Sequence, residues 1–304
     1  MVDIDLAINS CFAIKRWPLP KQWMNIVHSS LEIGMCEFSL DLLDPFTREP
    51  TKTTYLQETT ELCDELSLKI YSIYTGLQSY EKHLLFHPNL GMRIHTLEWL
   101  EKSIDIAATV DALAIGADFG VPDHSFFLDH ENTNYFIEFL YDSAIYLNKV
   151  SYSAGLDAVI FNPPLVSKDY NKNIQIAQDL YQKVNNISSI PFKFSLNIQN
   201  YCISDIKASK SPKKEDYSWI KDLGTSLDVI RLQQTDGKDA RFQLFSAEKN
   251  KLGAVNIDTL IRNIEDSGIK DCKFIIEVKP SYEINSEKVI EDLKSTVKYV
   301  KDRI

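Results

Sequence analysis

Two hydrophobic rhythms alternate along this chain. Short runs rich in branched and aromatic residues read as strands: DLAINSCF (5–12), MCEFSLDLL (35–43), LKIYSIYTG (68–76) and VDALAIGAD (110–118) in the first half. LDAVIFN (156–162), FKFSLNI (192–198), LDVIRLQ (227–233) and CKFIIEVK (272–279) follow in the second. Between them lie stretches whose apolar residues recur every three or four positions, the helical spacing, as in residues 134–155 and 255–268. Gly34, Gly155 and Gly268 stand just before a strand, where a glycine past the last helical turn supplies a left-handed cap. Eight strand–helix repeats predict parallel strands with crossover helices, closed into an α/β TIM barrel, (β/α)8, as one domain over 1–304. The alternative, an open doubly wound sheet, would carry a glycine-rich phosphate turn after its first strand, and AINSCFAIKRWPLP has none.

Composition narrows the function. A net charge of −10 argues against nucleic-acid binding, which asks for a basic stripe. Five dispersed cysteines without a CxxC read as reduced thiols. The start MVDIDLAINS is no signal peptide and no apolar run is long enough to span a bilayer, so a cytoplasmic protein is expected. The polar run 204–218 follows the sixth strand; it reads as a loop over the barrel mouth or, equally, as a plain solvated loop.

A parallel barrel builds its site from the C-terminal ends of its strands. That singles out Asn9, Asp41, Asp44, Thr75, Asp118, Asn162, Asn197, Asn200, Arg231, Gln233 and Glu277. Asn162 in LDAVIFNPPLV is an amide where such an enzyme would often place a carboxylate.

Three longer stretches, YTGLQSYEKHLLFHPNLGMR (74–93), DYSWIKDLGTSLDVIRLQQTDGK (216–238) and KFIIEVKPSYEINSEKVIEDLKSTVKYVKD (273–302), resemble the xylose-isomerase-like sugar-phosphate isomerases and epimerases, above all the branch acting on tetrulose phosphates. The resemblance runs in order over almost the whole chain, and LQQTDGK is its most specific piece. It implies a divalent metal held by a Glu after strand five, an Asp and a His after strand six and a Glu on strand eight. Asn162, Asn197 and Asn200 stand at the first three of these positions, and Glu277 alone is kept. Arg231, and with a one-residue shift Arg241, stand where the family has histidines; Gly116-Ala117-Asp118-Phe119-Gly120 replaces its Gly-Gly-His-x-Gly loop.

Three neutral amides in place of two carboxylates and an imidazole remove most of the attraction for Mg²⁺ or Mn²⁺. The expectation is no metal cofactor, Mn or Mg entering only if substitute ligands exist; no HxxxH or HExxH offers them. Glu277 is then the candidate base. Lys279, on the same face of a regular strand, and Arg231 are candidate charge stabilisers, with Asp118 a second acid–base carboxylate or a plain loop cap. An ion pair filling the space of the lost metal is the preferred alternative to catalysis. Asn162, Asn197, Asn200, Arg231, Gln233, Tyr80, His87 and Arg241 are candidate substrate contacts. Two classes stay open: a diverged isomerase or epimerase on a small sugar or polyol, with or without phosphate, and a non-catalytic relative serving as partner or regulatory subunit. An active metal-dependent aldose–ketose isomerase with substitute ligands is a third. The expected partner is a sugar-like small molecule, with a homo-oligomer or hetero-complex possible in either class.

Overall fold

Each of the eight hydrophobic runs forms a strand, and each strand is shorter than its run. The computed structural model describes residues 2–123, 130–167, 169–199, 217–236, 242–253 and 255–304. In chain order it places β1 (Asp3–Asn9), α1 (Pro20–Asn25), β2 (Met35–Ser39), α2 (Thr51–Leu66), β3 (Lys69–Tyr74), α3 (Leu90–Thr109), β4 (Ala114–Ala117) and α4 (His130–Ser153). There follow β5 (Ala158–Phe161), α5 (Tyr170–Asn185), β6 (Phe192–Asn197), α6 (Ser218–Leu223), β7 (Leu227–Leu232), α7 (Ala247–Leu252), α8 (Ile257–Asp266), β8 (Asp271–Ile276) and α9 (Ser286–Lys301). The strands follow one another in sequence order around a closed barrel, with parallel pairing. Asn200, Arg241 and the polar run as far as residue 216 lie outside the described residues. No helix among the described residues is long and apolar enough to cross a membrane.

The chain divides into two compact units. Met1–Glu37, Glu61–Lys69 and Leu196–Ile304 make the first; Phe38–Thr60 and Ile70–Ser195 make the second. In the first, Ile8, Val229, Ile230, Phe274 and Ile275 are buried strand residues, and in the second Phe38, Ile73, Ile115, Val159 and Phe194. Helix entries are capped locally: Asn89 accepts from the Met92 N–H, Asn256 from Thr259 and Asn285 from Lys288.

Local hydrogen bonds explain the shorter strands. The Asn9 side chain accepts from the Cys11 N–H at 2.8 Å and turns the chain into a short helical turn. After β2, the Ser39 hydroxyl donates to Asp41 at 2.8 Å, so the expected strand through Leu43 is a turn. Before β4, Val110 still caps α3 and Asp111 takes a left-handed conformation (φ 53).

Gly155 and Gly268 have the expected positive φ (87 and 79), but Gly34 does not. There Glu32 takes the left-handed position at φ 52, ending the helical segment two residues sooner. Gly120 is bound more tightly than any of these: at φ +97 an added Cβ would lie 2.1 Å from the His83 carbonyl oxygen. A Gly120→Ala variant is expected to lose about 1–3 kcal/mol of stability in urea unfolding, because the clash is with backbone.

Candidate functional site

The barrel register builds a polar centre in the first unit. β1 and β2 place Asn9 beside Glu37, and β7 and β8 set Arg231 level with Ile275. Alternation along the strands then brings Arg231 and Gln233 to one face of β7, while Glu277 follows β8 with its N–H still bonded to Leu232 O at 2.9 Å.

Arg231, Glu37 and Glu277 are each 0% exposed. The guanidinium grips Glu37 with two donors: Nη2 reaches Oε1 at 2.9 Å and Nη1 reaches Oε2. Nη1 also lies 3.5 Å from Glu277 Oε1. Asn9 Nδ2 donates to Glu37 Oε2 at 2.5 Å, and Asn197 Nδ2 to Glu277 Oε2 at 3.3 Å. Gln233 Nε2 donates to Asn197 Oδ1, and Gln199 Oε1 accepts from the Phe242 N–H at 2.8 Å. Buried charges persist only when paired and hydrogen-bonded, and this network meets that condition. Two buried amide atoms in it have no hydrogen-bond partner: Gln233 Oε1, an acceptor, and Gln199 Nε2, a donor.

A second polar cluster belongs to the second unit. Asn162 Nδ2 donates to Asp118 Oδ2 at 2.7 Å and to the Tyr74 hydroxyl at 3.0 Å, while its Oδ1 accepts from Ser195 at 2.5 Å. Asp118 Oδ1 takes the Gly120 N–H at 2.7 Å, so it caps its loop as well as holding Asn162. An amide at 162 is therefore matched to its surroundings. A carboxylate there would put two negative groups in direct contact, and Asp118 would lose the amide donor of residue 162.

Several sequence expectations change place. Lys279 is exposed and outside the Arg231–Glu277 network, because β8 ends at Ile276 and the Lys279 N–H bonds to Phe242 O at 3.0 Å. The alternation that would have put it beside Glu277 stops with the strand. His87 is half-buried ahead of α3, where its Nδ1 accepts from the Asn89 N–H at 3.0 Å, and Tyr80 packs against Tyr74 with ring centroids 5.9 Å apart. Glu37 was not among the sequence candidates. Its only signal is a charged residue inside the apolar run MCEFSL, two positions before the true end of β2. Its neighbour Cys36 is buried, which pushes the thiol pKa well above the usual value, with Cys63 and Glu37 adding to the effect.

Among the described residues, the side chains at the expected metal-ligand positions already have partners. Glu277 faces a guanidinium, the Asn197 carbonyl oxygen is taken by Gln233 and that of Asn162 by Ser195. Among the described residues no group of three or more His, Cys, Asp or Glu side chains is arranged to hold a metal.

No protein-family model matches the chain. It is 18% identical over 298 residues to D-erythrulose 1-phosphate 3-epimerase of Brucella abortus (strain 2308), covering 97% of this chain and 95% of that protein. A candidate xylose isomerase from Rhodospirillum rubrum ATCC 11170 superposes with a TM-score of 0.86 at 22% identity, over 99% of both chains. The IOLI protein, solved with a bound zinc atom, superposes with a TM-score of 0.68 at 13% identity, again over 99% of both. The chain thus has the xylose-isomerase-like TIM-barrel fold, as its sequence resemblance implied.

Proposed function

We propose that this barrel binds a small sugar or polyol, with or without phosphate, at the polar centre of its first unit, and that Arg231 supplies there the positive charge a divalent metal supplies elsewhere. The observation that carries this reading is the buried guanidinium held against both Glu37 and Glu277. Epimerisation beside a carbonyl leaves negative charge on oxygen, and fixed donors that need no reorganisation can stabilise it. In this reading Asn197 and Gln233 orient the hydroxyls of the ligand. Both Glu277 oxygens already have partners, one facing Arg231 and one accepting from Asn197, so metal-assisted proton transfer is altered or lost here. The orphaned atoms of Gln233 and Gln199 favour a ligand over a purely structural network, since one hydroxyl group can donate and accept at once.

Elemental analysis of the purified protein and calorimetric titration with Mn²⁺ test the reading, alongside titration with D-erythrulose 1-phosphate and free erythrulose. The expected result is no stoichiometric metal, no Mn²⁺ heat and saturable binding of one of the two sugars. Tight stoichiometric metal would return conventional isomerase chemistry to the front.

A further inference from the structure

Arg231, Glu37 and Glu277 are fully buried, so a ligand reaches them only where the covering chain can part. β1 and β8 are neighbouring parallel strands, with Ile8 level with Ile276, and their ends deliver Asn9 and Glu277 to the polar centre. The two loops that leave these strand ends are joined again further out, within the first unit.

Beyond its short helical turn, the loop after β1 bends back on itself. The Ala13 carbonyl accepts from the Arg16 and Trp17 N–H groups, each at 2.9 Å, and Lys15 takes a left-handed conformation at φ 64. A residue with a Cβ seldom adopts that backbone, and such positions persist where the surrounding structure holds them. The bend sends Arg16 to the loop after β8. There its Nη2 donates to the Ser281 carbonyl, and its guanidinium carbon lies 5.9 Å from the centre of the Tyr282 ring. Glu283 stands next to this contact. The Ser281 hydroxyl donates to it, and that bond first, then its own backbone N–H and the Arg16 and Lys15 charges, hold its carboxyl below the usual range.

This hold is lighter than the grip of Arg231. Arg16 is half-buried, Tyr282 is 66% exposed, and the hydrogen bond ends on a backbone carbonyl. Nearer the strand ends the same two loops meet once more: Cys11, 0% exposed, donates its Sγ–H to the Val278 carbonyl at 3.4 Å.

We infer that Arg16 is a clasp that gates the polar centre: it holds the loops after β1 and β8 together, and its release opens the way past Cys11 and Val278. Elements that admit ligands are drawn from the least stable part of a fold, and a half-exposed hold between two loops fits that condition. The gating role rests on the proposal that a ligand enters the polar centre; the opening of the loops does not.

Cys11 supplies the probe. Iodoacetamide labelling of the full chain, followed cysteine by cysteine with peptide mass spectrometry, reads how often the loops part. Arg16→Ala should label at Cys11 about tenfold faster than the parent, the effect of losing one charged donor. Tyr282→Ala keeps the carbonyl bond and should accelerate labelling less, about threefold. Cys36 in β2 and Cys272 in β8 are also buried, and their labelling should not change in either variant. An unchanged Cys11 rate in Arg16→Ala would overturn the inference. Equal acceleration at all three cysteines would do the same, since the whole barrel would then have loosened. D-Erythrulose 1-phosphate and free erythrulose separate this inference from the proposal it rests on. A sugar that binds should protect Cys11 in the parent. In stopped-flow mixing it should enter and leave Arg16→Ala about tenfold faster, with Kd kept within about threefold. Entry and release rates equal in parent and variant would reveal another way in and would overturn the gate. If neither sugar protects Cys11 while Arg16→Ala still labels faster there, the clasp stands and the sugar proposal for the polar centre falls.

Discussion

Replacing Arg231 with methionine is expected to lower the free energy of unfolding by about 3–5 kcal/mol, the usual result of stripping one partner from a buried ion pair. Arg231, Glu37 and Glu277 are all 0% exposed, so the variant leaves two carboxylates without their cation and without water. Asn9 and Asn197 still donate to them, but single amide donors do not offset the desolvation of an unpaired charge. For a chain of this size the change corresponds to a drop in melting temperature of roughly 5–8 °C. Neutralising both acids in the same background, with Glu37→Gln and Glu277→Gln, should restore much of the loss, because the residual centre is then polar but uncharged. Urea unfolding of the single and triple variants measures both. A loss below about 1 kcal/mol for Arg231→Met, the size of an exposed pair, would mean that water reaches these charges and that they are no buried network.

How far the sequence carried this reading depends on what each residue's signal depends on. The strands were legible because a barrel strand needs a run of bulky apolar residues, and LDVIRLQ or CKFIIEVK can be little else. Strand ends were less legible, since they are set by hydrogen bonds that no hydrophobic pattern records. The Ser39–Asp41 bond stops β2 early, and that moved attention to Asp41 and Asp44 and away from Glu37. The same error at β8, where the chain leaves to pair with Phe242, put Lys279 beside Glu277 on paper and into solvent in fact. Asn162 and Arg231 were singled out by their places at strand ends, and the resemblance added that they stand where relatives carry a metal-binding Glu and a histidine. Their partners, Asp118 and Glu37, follow from register and from neighbouring strands, which one sequence does not display.

Installing the donors that the resemblance implies supplies the strongest test of what Arg231 does. The triple variant Asn162→Glu, Asn197→Asp and Asn200→His restores the side chains that the resemblance implies for a metal site; Asn200 lies outside the described residues. It is nevertheless expected to bind Mn²⁺ no better than the parent. A guanidinium about 4 Å from a divalent cation repels it by about 8 kcal/mol at an effective dielectric of about 20, and the one retained carboxylate, Glu277, already faces that guanidinium at 3.5 Å. Adding Arg231→His removes that repulsion and offers an imidazole instead. Glu37 and Glu277, freed from the guanidinium, then need a cation. Mn²⁺ should therefore bind the quadruple variant with measurable heat and raise its melting temperature, as any ligand selective for the native state does. Titration calorimetry and thermal melts with and without Mn²⁺ read both effects on the same samples. Stoichiometric Mn²⁺ binding by the triple variant, with Arg231 in place, would show that the guanidinium does not block the centre, and the fixed-charge reading would fall with it.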